Sequence, residues 1–153
     1  MSEQFEMIKQ AFPTMVPMVG TLNLEFVELT PQRAVMLMPD QKEYHNHIGG
    51  PHAGAMFTLG ESASGALVMA NFADVLSEAT PLAVESTIRY LKVAMGPVTA
   101  TAVMDRTRDE IMAELRGGTR PEFRVEMTIN TEDGTQTGAM QIVWTLKRAR
   151  KPE

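Results

Sequence analysis

The sequence of 153 residues contains no cysteine. Disulfides, thiolate-bound metals and a cysteine nucleophile are therefore excluded, and the composition suits a reducing compartment. Positive charge is not in excess either: 14 Lys and Arg stand against 19 Asp and Glu, a net charge of −5. Such a chain offers no global field to gather nucleic acid or anionic lipid, so neither is expected as a partner, although a local basic patch can still hold a small anion. Repeats, low-complexity segments and linkers are lacking. The opening MSEQFEMIKQ is polar and acidic and has no signal-peptide layout, so the expectation is a cytoplasmic protein. No apolar run of membrane length goes uninterrupted. Ala53 to Phe72 comes closest, but Glu61, Asn71, Gly60, Gly65 and three hydroxyl residues break it, and it reads as a helix buried inside a globular protein rather than a span.

What is present suffices for one core. Hydrophobic residues make up 44% of the chain, and its length suits a single domain over 1–153. Thirteen methionines read first as adaptable core filler. Phe5, Ile8 and Phe12 are spaced as a helix over Ser2 to Ala11, ended by Pro13 and Pro17. Leu22, Leu24 and Phe26 alternate with polar residues as a strand, and Arg33 to Met38 is a second, joined to it by a Thr30-Pro31 turn. Tyr44 to Pro51 is loop. A long helix follows from about His52 to Ala73, with Pro51 suited to its first turn. Its apolar residues lie nearly all around the axis, which requires enclosure on every side. Ala83 to Val93 and Val98 to Met104 are strands around a Gly96-Pro97 turn. Thr107 and Glu110 form a capping box for a helix over Arg108 to Leu115, closed by Gly117-Gly118. Phe123 to Asn130 alternates as a half-buried strand, Asp133-Gly134 marks a hairpin, Thr135 to Lys147 is the last strand, and Arg148 to Glu153 is a charged tail. Two strands before one enclosed helix and four after it predict an α+β protein: one antiparallel sheet of about six strands wrapped around that helix.

All three histidines fall within HNHIGGPH, His45 to His52, and Glu61 sits inside the apolar helix that follows. The spacing H-x-H-x4-H matches no strong zinc pattern, and no metal is expected. Asn46 followed six residues later by His52-Ala53-Gly54, and then by an acid nine residues after that histidine, resembles the hotdog-fold thioesterases. The likeness is to the branch related to the phenylacetate-pathway thioesterases, including a group classed as a domain of unknown function. STIRYLKVAMGPVTATA, Ser86 to Ala102, resembles the third strand and turn of that family, and the insert at Arg108 to Leu115 resembles the unknown-function group in particular. Two departures stand out. Ala53 replaces the first glycine of the common His-Gly-Gly, keeping its backbone N–H. Gly65 and Ala83 occupy positions where relatives carry a hydroxyl to orient water, a role open here to Ser64 or Ser62.

The resemblance implies hydrolysis of an acyl or aryl thioester of coenzyme A, with coenzyme A part of the substrate and no cofactor. Charge that builds on the carbonyl oxygen would be met by backbone N–H groups at the helix start. Gly49-Gly50-Pro51 would turn the chain sharply and leave the N–H groups of Ala53 and Gly54 free. Glu61 would serve as general base or as nucleophile, with Asn46 and His52 as further catalytic candidates. Gly49, Gly50, Ser64, Arg89 and Lys92 are the candidate substrate-binding residues, with Arg124 a further phosphate partner for coenzyme A. His52 and Glu61 are nine residues apart on one helix, ~13 Å along the axis and half a turn out of phase. They cannot serve one carbonyl from the same chain, so the mechanism requires a homodimer with two shared sites, with a dimer of dimers left open. Two alternatives remain. A hotdog hydratase or dehydratase would use His47 with Glu61, although Met56 and Phe57 stand where that family has Pro-Gly. The other is an acyl-CoA binder without catalysis.

Overall fold

The computed structural model describes residues 2–150. In chain order the elements are α1 (Ser2–Met15), α2 (Pro17–Thr21), β1 (Glu25–Leu29), β2 (Ala34–Met38), α3 (Ala53–Phe72), β3 (Ala79–Tyr90), β4 (Val98–Met104), α4 (Arg108–Arg116), β5 (Glu122–Thr131) and β6 (Gln136–Arg148). The six strands form one antiparallel sheet in the order β1-β2-β4-β5-β6-β3, and α3 packs against it, chiefly on β2, β4 and β5. The α+β architecture expected from the sequence is the one observed.

Small residues let the helix approach. Ala34 on β2 pairs with Ala102 on β4, and Met36 pairs with Ala100; all four side chains are fully buried under α3. On β5, Phe123, Val125, Met127 and Ile129 face this core while Arg124, Glu126 and Thr128 face outward. Many of the thirteen methionines do fill the core, among them Met36, Met38, Met112, Met127 and Met140. No helix is long and apolar enough to cross a membrane among the described residues.

Several boundaries differ from expectation, each for a physical reason. Pro13 does not end α1, which continues to Met15. Proline forfeits one helical hydrogen bond, but Ile8 and Phe12 are buried, and at ~1.5–3 kcal/mol per apolar side chain their packing holds the last turn. Pro17 starts α2, which was not expected at all; it takes a first-turn position, where the missing N–H is no loss. That short helix draws Leu22 into its cap, so β1 begins at Glu25 instead of Leu22. Pro81 lies inside β3, which starts at Ala79 and ends at Tyr90 rather than running from Ala83 to Val93. The strand is at the sheet edge, where proline is tolerated. Pro51 is outside α3 and bridges to His45. His52 is the N-cap instead.

Candidate active site

The loop before α3 is built on Asn46. Its side-chain oxygen accepts the N–H groups of Ile48 and Gly50, each at 3.0 Å, and its backbone N–H donates to the Gly50 carbonyl at 2.7 Å. The amide nitrogen reaches the Pro51 carbonyl at 3.4 Å. The polar atoms of Asn46 are thus turned onto the loop, a positioning role. Gly49 has a φ of +79°, the left-handed conformation that favours glycine. Gly50 is glycine for space: a Cβ there would stand 2.3 Å from the Ala94 carbonyl oxygen. Neither glycine lines the pocket at the helix tip. His45 pairs with Asp40 at 2.6 Å, and His47 is exposed, outside the pocket that holds Glu61.

The helix tip differs from expectation at Gly54. The ring Nδ1 of His52 accepts the Gly54 N–H at 2.9 Å, so of the two N–H groups expected to be free, this one is capped. An N-cap side chain commonly takes an orphan N–H of the first turn, and histidine does so here. The Ala53 N–H has no acceptor among the described residues. The carbonyl of Ala53 accepts from the Tyr90 hydroxyl at 2.8 Å. The peptide group between Ala53 and Gly54 is therefore held at both ends, by Tyr90 and by His52. A pocket of ≈ 490 Å³ opens beside it, with Ala53, Tyr90, Lys92 and Asn46 in its wall.

Glu61 lies about two turns further on. No hydrogen bond or ion pair engages its carboxyl group among the described residues, and burial alone pushes its pKa above the ordinary 4.5. It lines a separate cavity of ≈ 180 Å³, whose walls include Phe12 and Val16 from the N-terminal segment, Val68 and Met69 from α3, Pro81 and Trp144. Ser64, a substrate-binding candidate, does not line it. Its hydroxyl is fully buried, donating to the Glu61 carbonyl at 2.7 Å and accepting from the Trp144 indole at 3.3 Å. Ser64 therefore braces the helix turn that carries Glu61. Ser62 lines the cavity, but its hydroxyl donates to the Thr58 carbonyl at 2.6 Å.

The structure brings Lys92 to the helix tip and leaves Arg89 away from it. Tyr90 turns toward α3, so its neighbour Arg89 emerges on the outer face of the sheet, in a groove with Thr87, Glu126 and Gln141. Arg124 also faces outward. Sequence reasoning missed Tyr90, Phe12, Val16 and Trp144. The signal for Phe12 was its helical spacing with Phe5 and Ile8; Tyr90 and Trp144 carry none without the strand register, and Val16 sits at the junction of α1 and α2, a helix that was not expected.

One helix thus carries two groups without a partner among the described residues, an acid in an apolar cavity and an N–H at the tip, on a sheet of defined order. That sheet order around one long helix is the hotdog fold of the thioesterase superfamily. The chain belongs to the family described as a domain of unknown function, DUF4442, whose model matches residues 5–146. It is similar to a Pseudomonas aeruginosa protein of unknown function described as a probable thioesterase, at 26% identity and a TM-score of 0.84 over 94% of this chain and 95% of that one. A thioesterase family protein from Silicibacter pomeroyi shares the fold at 21% identity, with a TM-score of 0.73 over 95% of this chain and 99% of that one. No curated protein matches the chain.

Proposed function

We propose that the protein hydrolyses an acyl or aryl thioester of coenzyme A at sites shared between two copies of the chain. The observation that carries this reading is Glu61, a carboxylate in an apolar cavity with no partner in its own chain among the described residues. Such a group is costly to keep, and burial makes it a stronger base. It takes a proton from water as the water oxygen bonds to the thioester carbon. The carbonyl electrons move onto oxygen, which faces the open N–H of Ala53. Collapse of this intermediate breaks the C–S bond, and the proton passes to the departing sulfur, giving a carboxylic acid and a thiol.

A single chain cannot complete this geometry, because both groups sit on α3 more than ~10 Å apart along its axis. Two features support a two-fold partner. From Ala53 onward the residues of α3 that are not buried are Ala53, Gly54, Phe57, Thr58, Glu61, Gly65 and Met69. They form one stripe, where an antiparallel second copy of α3 would bring each Glu61 to the other tip. The edge strand β3 leaves one side unpaired while exposing Leu82, Val84 and Tyr90, a surface that proteins ordinarily cover. Lys92 at the tip supplies charge for the phosphates of coenzyme A. The test is a panel of acyl- and aryl-CoA esters with free thiol as readout. Release that Glu61→Gln abolishes is expected; no release from any ester, or full turnover by that variant, refutes the reading.

A further inference from the structure

Two glycines interrupt the middle of α3, where glycine weakens a helix. Packing accounts for the first: a Cβ on Gly60 would come within 2.5 Å of the Met140 sulfur. It does not account for Gly65. A Cβ there would meet Phe12 Cζ at 3.8 Å and the Trp144 ring at 3.9 and 4.0 Å, ordinary contact distances. The fold has room for a side chain at 65, and what the glycine preserves is that room. The space belongs to the ≈ 180 Å³ cavity one turn beyond Glu61, on the same face of the helix.

The walls of this cavity are apolar apart from Glu61 itself and the committed hydroxyl of Ser62. Apolar cavities of about 150 Å³ take up benzene. At the ~30 Å³ that a water-sized group occupies in a liquid, the volume holds about six such groups. Lysine and arginine are absent from the lining, so a second carboxylate on the acyl group would be desolvated without a partner and repelled by Glu61. We infer that the cavity is the acyl subsite of the proposed thioesterase, an inference that rests on that reading. It takes one compact uncharged group, a single six-membered ring or a chain of about six carbons. Gly65 sets its depth, and Phe12 and Val16 form its outer wall.

Two measurements test this. The first is thiol release from acetyl-, hexanoyl-, benzoyl-, decanoyl- and succinyl-CoA. Hexanoyl and benzoyl esters should lead. Gly65→Val should lower the benzoyl-to-acetyl ratio of kcat/KM by about ten-fold or more, and Phe12→Ala should raise the decanoyl-to-hexanoyl ratio by a similar factor. Gly65→Ala, which only adds the methyl the fold has room for, should lower the benzoyl-to-acetyl ratio less while raising Tm. The second measurement needs no turnover: fluorobenzene binding followed by ¹⁹F NMR, expected for the wild type and lost in Gly65→Val. An acyl-length profile unaltered by either Gly65 variant would overturn the subsite and leave hydrolysis standing, and so would a lower Tm for Gly65→Ala, which would assign the glycine to packing. Fluorobenzene binding that depends on Gly65, with no thioester turned over, would uphold the cavity's ligand class and overturn the hydrolytic reading instead.

Discussion

Deleting one backbone N–H can separate a shared site from a self-contained one. Ala53 is the first residue of α3, and the residue before it, His52, has φ −60° and ψ 139°. Those angles suit a residue preceding proline, and the first helical position favours proline. Ala53→Pro should therefore fold with an unchanged or higher Tm while losing the open donor at the tip. Loss of one oxyanion donor costs about 2.7–4 kcal/mol, or ~10²–10³ in kcat. Glu61→Gln removes the proposed base, a role worth ~10²–10⁴. Each variant alone should be nearly inactive. In a mixed dimer of the proposed kind, the intact Glu61 of one chain would face the intact Ala53 N–H of the other, and the second site would carry both lesions. Random exchange makes about half of the dimers mixed, each with one working site of two, so activity should return to about a quarter of wild type. Mixed dimers isolated through two different tags should reach about half. A mixture no more active than its two parents would refute the shared site, and with it the argument from helix length.

Three further outcomes follow from named contacts. Because burial raises the Glu61 pKa above 4.5, kcat/KM should rise with pH with an inflection above the ordinary carboxylate range. The folded state also holds that proton more tightly than the unfolded one, so its contribution to stability falls as pH rises from ~4.5 through the folded pKa, by about 1.4 kcal/mol for each tenfold difference in proton affinity between the two states. Glu61→Gln should then gain in Tm over wild type at pH 8 and not at pH 4, and an equal difference at both would show the carboxylate to be solvated. Tyr90→Phe removes the hydrogen bond to the Ala53 carbonyl and should cost about 1 kcal/mol, read as a fall of roughly five-fold in kcat with little change in KM; a loss confined to Tm would make the tyrosine structural. Gly50→Ala places a methyl 2.3 Å from the Ala94 carbonyl oxygen and should lower stability by ~1–3 kcal/mol in a denaturant titration, whereas an unaltered midpoint would show the loop free to shift.

The sequence made the fold legible wherever local chemistry and packing agree. Thr107 and Glu110 announce α4, and both halves of that capping box are present. Asp133-Gly134 announces the β5–β6 turn, where Gly134 adopts a φ of +85°. The errors cluster at proline, because a proline's effect depends on what lies around it. Pro13 is carried by a buried face, Pro81 by an edge position, and Pro17 begins a helix where it was expected only to end one. None of these surroundings can be read from neighbouring residues alone.

The site divides along a similar line. Glu61 was legible because an acid in an apolar helix conflicts with its surroundings, and such conflicts point to function. Arg89 and Tyr90 were not separable, since adjacent strand residues face opposite sides and a bulge between Ala83 and Glu85 resets the alternation. That parity places the tyrosine against α3 and the arginine on the outer face. The Glu61 carboxyl and the Ala53 N–H, both without a partner among the described residues, are of opposite polarity and lie on the incompletely buried stripe of α3. Hydroxyls at Thr58 and Ser62 lie on the same helix and turn back onto it. These neighbouring polar side chains are thus consumed locally, while the Glu61 carboxyl and the Ala53 N–H are left where the proposed second copy of the helix would bring them together. A buried carboxylate without a partner is costly to a fold, and on the proposed reading that cost is offset by the reaction the two groups would perform across the seam between two copies.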